Sequence, residues 1–197
     1  MRKKRVAILI SGRGSNMAAL IEAARDPAYP AEIVGVLSNV AGAGGLERAA
    51  RAGIATATLA QQTFAAKAEH EAAVTARLEA WGVEIVCLAG YMRLLSAAFV
   101  ERWAGRLINI HPSLLPAFKG LDTHARALAA GAAEHGCTVH FVTAEMDGGP
   151  VIAQARIKVL GNDTPETLAA RVLLEEHRLY PEALRLLAGD GAPYRPA

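Results

Sequence analysis

A large excess of basic residues is the first thing this sequence lacks. Lys and Arg outnumber Asp and Glu by only two in 197 residues, whereas a dedicated nucleic-acid binder carries a clustered basic face. The one basic cluster, Met1 to Arg5, stands at the N-terminus. Long apolar runs are missing too. Val6–Ile10 gives way at once to Ser11-Gly12, short of the roughly 7–15 apolar residues of a secretory signal. Nowhere does an apolar stretch reach the roughly 20 residues that span a bilayer. Nucleic acid and membrane are therefore not expected as partners, and the cytoplasm is the default location. Cysteine is limited to Cys87 and Cys137, each inside an apolar, β-branched run. That placement suits buried free thiols and supports neither a disulfide framework nor a redox pair. Aromatics make up 5% of the chain and alanine supplies much of its apolar share, so thin, closely packed helices are expected. No repeat, low-complexity tract or Pro/Ser-rich linker divides the chain, which reads as one domain, 1–197, of ordinary size.

What is present is an alternation of short apolar runs and helical segments. Strands are expected at Arg5–Ile10, Glu32–Leu37, Ile54–Leu59, Glu84–Ala89 and Arg106–Ile110. Between them lie helices near Ser15–Arg25, Gly44–Ala52, Phe64–Trp81 and Ser96–Trp103, and a helix at Thr123–Ala130 follows. Alternation of this kind implies an α/β fold with a mainly parallel, twisted sheet and helices on both faces. The strand candidates are continuously apolar, as doubly buried strands should be. After residue 135 the style changes. Cys137–Thr143 and Val151–Val159 are separated by a turn too short for a parallel crossover, so they should form an antiparallel hairpin. A long helix, about Pro165–Leu187, closes the chain. In such sheets ligands bind at the carboxyl ends of the strands, where the functional residues should gather.

Ser11-Gly12-Arg13-Gly14-Ser15-Asn16 joins the first strand to the first helix. Glycines there let backbone approach an anion, and the free N–H groups and dipole of the helix start favour negative charge, so a phosphate is the natural tenant. A dinucleotide fingerprint starting at Gly12 would need Gly or Ala at position 17, which is Met17, and the Gly-Lys-Ser/Thr of a Walker loop is absent. A plain strand–helix turn that uses glycine for tightness accounts for the loop about equally well.

A sharper signal is Asn109-Ile110-His111-Pro112. Residues two apart on a strand share a face, and Pro112 biases His111 toward extended backbone, so Asn109 and His111 project together. An amide beside an imidazole suits an oxygen that gains negative charge in acyl transfer. For a lone histidine, a bond to a nearby carbonyl would be the preferred account. Asp147, in Met146-Asp147-Gly148-Gly149-Pro150, shifts the balance. Although Asp-Gly is a common turn pair, a carboxylate beside His111 would orient the ring and favour its protonated form. Polariser and general acid–base would then come from one strand and the orienting group from a separate turn. His135, Cys137 and His140 lack a fourth ligand at zinc-like spacing, and no metal is expected.

Gly14-Ser15-Asn16, Ala89 to Leu95, Asn109 to Pro116, Gly136 to Val142 and Met146 to Pro150 together resemble the folate-dependent glycinamide ribonucleotide formyltransferases. The resemblance runs in order from residue 6 to about 181. It implies a Rossmann-like formyltransferase fold, with residues 1–105 as the phosphate- and ribonucleotide-binding half and 106–197 as the catalytic and folate-binding half. It implies 10-formyltetrahydrofolate as co-substrate, glycinamide ribonucleotide as acceptor, and a place in purine synthesis. Asn109, His111 and Asp147 would be catalytic, the first two stabilising the oxyanion and Asp147 relaying protons. Gly14, Ser15 and Asn16 would hold the phosphate, and Glu176 the ribose. Met92, Arg93, Leu94, Leu95, Val142 and Thr143, with Asn109 and Asp147, would line the folate slot. Lys67 stands where the family often has an arginine near the folate's glutamate tail, losing bidentate geometry while keeping charge. Leu173 replaces a polar residue that some members place near the ribose.

Two related families resemble this core with an addition: a C-terminal RNA-binding barrel in the tRNA formyltransferases, an N-terminal regulatory domain in the formyltetrahydrofolate hydrolases. The length here favours the ribonucleotide as acceptor. A hydrolase, or a non-catalytic folate or nucleotide sensor, is the alternative, and a nicotinamide dehydrogenase is weaker because of Met17. An open sheet leaves an exposed edge on which a homodimer could form.

Overall fold

Apolar strands bury both faces only if helices cover both sides of the sheet, and the register of the first strand shows how this chain does it. In β1 (Lys4–Ile10), Val6, Ile8 and Ile10 face one core layer while Ala7 and Leu9 face the other. β4 (Ile85–Leu88) divides in the same way, with Ile85 and Cys87 on the first side and Val86 and Leu88 on the second. The structure, a computed structural model, describes residues 2–189. Met1 and residues 190–197, the ends of the expected domain, lie outside the described residues.

The remaining strands are β2 (Ala31–Ser38), β3 (Thr56–Thr58), β5 (Leu107–His111), β6 (Glu134–Phe141) and β7 (Val151–Lys158). They form one seven-stranded sheet in the order β3-β2-β1-β4-β5-β6-β7. β1 to β5 are parallel, and β6 runs antiparallel to both β5 and β7. The first layer holds α1 (Ser15–Ala24), α2 (Gly44–Arg51) and α6 (Pro165–Ala188), with α5 (Thr123–Ala129) beside α6. α3 (Lys67–Ala80) and α4 (Ala97–Arg102) cover the second.

Each expected element forms, most boundaries lying within two residues of the expected ones and two starts moving by three. α3 begins at Lys67 rather than Phe64, because Gln61–Thr63 make a short 3-10 turn and Phe64 is extended. β6 begins at Glu134 rather than Cys137, since Glu134, His135 and Gly136 pair with Lys158, Ile157 and Arg156 of β7. α6 starts on Pro165 and is capped by Thr164, which exchanges bonds with Thr167, as helix starts favour. Its buried Tyr180 hydroxyl reaches the Leu88 and Ile108 carbonyls at 2.9 and 3.3 Å. α6 is thereby pinned across β4 and β5, where the site lies.

Candidate active site

The strand order reverses between β1 and β4, and a crevice opens at such a point beyond the strands' carboxyl ends. Gly14 precedes α1 with φ +69°, a left-handed conformation that glycine adopts without strain. A Cβ there would lie 3.1 Å from the Gly45 Cα, and the Gly45 N–H donates to the Gly12 carbonyl at 3.0 Å. The starts of α1 and α2 thus meet on one loop. Ser11 fastens this loop to the end of β4. Its N–H donates to the Gly90 carbonyl at 3.1 Å, and its hydroxyl accepts from the Met92 N–H at 2.8 Å.

Register builds the centre. Asn109 lies opposite His140, and His111 opposite Thr138, in the antiparallel pairing of β5 with β6. His111 Nδ1 is 3.4 Å from Asp147 Oδ2, and its Nε2 is 3.0 Å from the Phe118 carbonyl. Both ring nitrogens face acceptors, an arrangement met in full by the doubly protonated ring. Asp147 Oδ2 also accepts from the Gly120 N–H at 2.9 Å. Two loops, 112–122 after β5 and 142–150 after β6, therefore close over the catalytic candidates. Lys119 and Glu145 join them by an ion pair of 2.6 Å. Phe118, Asp122 and Asp147 all have φ above +50°, which costs about 1–3 kcal/mol per non-glycine residue and persists only where the surroundings enforce it.

Around this centre lie two further polar contacts. Asn16 Nδ2 donates to Glu176 Oε2 at 2.6 Å, while Asn16 Oδ1 is buried without a partner. Burial raises the Glu176 pKa, opposed by the Asn16 bond and by His111. Behind His111, His135 is fully buried with its Nε2 3.1 Å from His124 Nδ1, and Phe118 packs edge-on against its ring. Burial, reinforced by the positive charges of His124 and His111, pushes the His135 pKa down to about 4.

The cleft measures about 750 Å³. It brings together Asn109, His111 and Asp147 with Asn16, Glu176, Met92 to Leu95, Val142 and Thr143. Met92 and Leu94 are each 68% exposed at its rim, an apolar surface open to a flat ligand. Gly14 and Ser15 shape the adjoining loop. Lys67 stands apart, exposed at the start of α3, with Nζ 3.9 Å from Glu71 Oε1. In sequence His140 stands out only as a possible metal ligand, and the Phe118 carbonyl and the Gly120 N–H do not stand out at all, because backbone groups leave no signature in residue type. Strand alternation from Thr138, once paired with β5, would have found His140.

The formyl transferase family matches residues 4–184. Phosphoribosylglycinamide formyltransferase of Escherichia coli (strain K12) is 48% identical over 186 residues, covering 94% of this chain and 87% of that protein. The trifunctional purine biosynthetic protein adenosine-3 of Homo sapiens is 48% identical over 187 residues, 95% of this chain and 18% of that protein. The chain thus spans less than a fifth of the length of that trifunctional relative. The crystal structure of phosphoribosylglycinamide formyltransferase from Brucella melitensis matches with a TM-score of 0.92 at 56% identity, covering 98% of this chain and 100% of that one. On sequence and fold alike, the chain belongs to the formyl transferase family, among the phosphoribosylglycinamide formyltransferases.

Proposed function

We propose that this protein transfers the formyl group of 10-formyltetrahydrofolate to the amine of glycinamide ribonucleotide, in purine biosynthesis. The observation that carries the reading is one cleft that holds Asn109, His111 and Asp147 together with Asn16 and Glu176 beside the glycine loop. The acceptor's phosphate sits on Gly14, Ser15 and Asn16, where two helix starts favour an anion. Its ribose hydroxyls meet Glu176 and the unpartnered Asn16 Oδ1. The folate lies along Met92 to Leu95, Val142 and Thr143, with Lys67 offering charge toward its carboxylate tail.

In the reaction, the amine nitrogen bonds to the formyl carbon and the carbonyl π electrons move onto oxygen. The Asn109 amide and His111 Nε2–H donate to that oxyanion, which replaces the Phe118 carbonyl as the acceptor on His111. Asp147 holds the ring and passes the amine's proton toward the folate nitrogen as the old carbon–nitrogen bond breaks. One proton leaves the amine and one joins the departing nitrogen, so charge balances. The partners in this reading are small molecules, and free thiols at Cys87 and Cys137 suit a reducing, cytoplasmic setting.

The test mixes protein, 10-formyltetrahydrofolate and glycinamide ribonucleotide and follows tetrahydrofolate release by absorbance, with His111→Ala as control. Release that requires the ribonucleotide and is lost in the variant is the expected result. Release without the ribonucleotide would make the protein a hydrolase. Binding of both ligands with no release would make it a sensor.

A further inference from the structure

We propose that His140 is a positioning residue for formyl transfer, one that acts through Asn109 by fixing which end of its carboxamide faces the reacting oxygen. The proposal rests on the reading of Asn109 as an oxyanion donor. His140 is 2% exposed and lies directly across the strand pair from Asn109. Its Nδ1 is 2.9 Å from the Phe141 carbonyl. A carbonyl can only accept, so Nδ1 carries the proton. Burial lowers the pKa of the ring, which leaves Nε2 a bare lone pair.

Asn109 Nδ2 stands 3.3 Å from that lone pair. The NH₂ end alone can satisfy it, since a flipped amide would set oxygen against nitrogen, acceptor on acceptor. One N–H of Asn109 is spent on His140, and the trigonal geometry of the amide leaves the other to turn into the cleft. Asp147 Oδ1 lies 3.7 Å from the same Nε2, too far for a hydrogen bond, and Asp147 is held instead by Gly120 and His111. The neutral Nδ1–H form of His140 thus acts as a template for the polarity of Asn109.

Two isosteres separate this role from simple packing. His140→Asn keeps a donor near Nδ1 and removes the acceptor at Nε2, whereas His140→Gln places an amide oxygen near the Nε2 position. The expected loss in kcat for His140→Asn is on the order of 10²-fold, the effect of misplacing a transition-state donor. KM for both substrates should change less than about threefold, because the donor is used mainly in the transition state. His140→Gln should stay within about tenfold of the parent kcat. In an Asn109→Ala background, His140→Asn should cost less than about threefold, because its target is gone. Equal losses with and without Asn109 would overturn the proposal. An unaffected kcat in Asn109→Ala alone would instead overturn the reading of Asn109, and the proposal with it. If His140→Asn does not fold, the ¹⁵N spectrum of the wild-type ring decides: Nε2 without a proton across the active pH range is expected, and an Nε2–H tautomer refutes the assignment.

Discussion

Replacing Asp147 by Asn isolates the charge of the proposed catalytic centre while keeping its shape. Asp147 Oδ2 accepts from the Gly120 N–H at 2.9 Å and faces His111 Nδ1 at 3.4 Å. An amide oxygen can keep the Gly120 bond, so the two loops should stay joined. What disappears is the counter-charge to the imidazolium. At 3.4 Å, Coulomb's law gives about 5 kcal/mol at an effective dielectric constant of about 20 and about 1 kcal/mol in bulk water. The His111 and Asp147 side chains are only 7% and 12% exposed, which places the pair nearer the first figure. The amide dipole recovers part of it. A loss of about 3 kcal/mol remains, or about 10²-fold in kcat at about 1.4 kcal/mol per factor of ten. Tetrahydrofolate release under saturating substrates measures kcat, and a thermal melt checks that the variant stays folded at the assay temperature. A fall in kcat of less than about fivefold in the folded variant would refute the charge argument.

The fold was legible because the chain writes it in periodicity. Each apolar run of five or so residues became a strand, and the one short connection, Ala144 to Pro150, became the hairpin turn between β6 and β7. The pairing of β5 with β6 was not legible, since residues 112–133 between them carry a loop and a helix that would equally permit a parallel crossover. That pairing is what brings His140 to Asn109. Asn109, His111 and Asp147 line one cleft, as their residue types suggested, with His111 and Asp147 in contact. The groups that hold them do not show in the sequence, because the Phe118 carbonyl and the Gly120 N–H are backbone, present at nearly every position, and distinguished here only by where a tertiary turn puts them. Lys67 illustrates the converse. Its charge was legible, yet in the structure it stands outside the cleft beside Glu71.

Two further consequences concern stability and the loop that carries Asp147. His135 is held near a pKa of about 4 against an ordinary value of 6.5. As pH falls below 6.5 the unfolded chain takes up that proton first, so its contribution is complete above 6.5 and is lost by about pH 4. The loss is on the order of 3 kcal/mol. Urea midpoints at neutral and acidic pH should show this fall, and His135→Gln should flatten it; equal slopes in the two proteins would count against the assignment. Gly149→Ala strikes the Asp147 loop through sterics alone. A Cβ at 149 would lie 1.8 Å from the Phe141 carbonyl oxygen and 3.1 Å from Thr143 Cγ2. The first of these is backbone in β6, bonded into the sheet, and cannot step aside as a side-chain tip would. The turn must therefore lift away from β6 and carry Asp147 off His111. The expected cost is about 3 kcal/mol of stability, at the upper end for overpacking, with kcat falling at least about 10²-fold, since misplacement of about 1 Å has that effect on a catalytic group. The two effects are separable, because the glycine loop proposed to hold the ribonucleotide phosphate is built by β1, α1 and α2 rather than by the turn after β6. A ribonucleotide affinity that fell as steeply as kcat would show that the whole site had collapsed, and would refute the view that the Asp147 loop is displaced on its own.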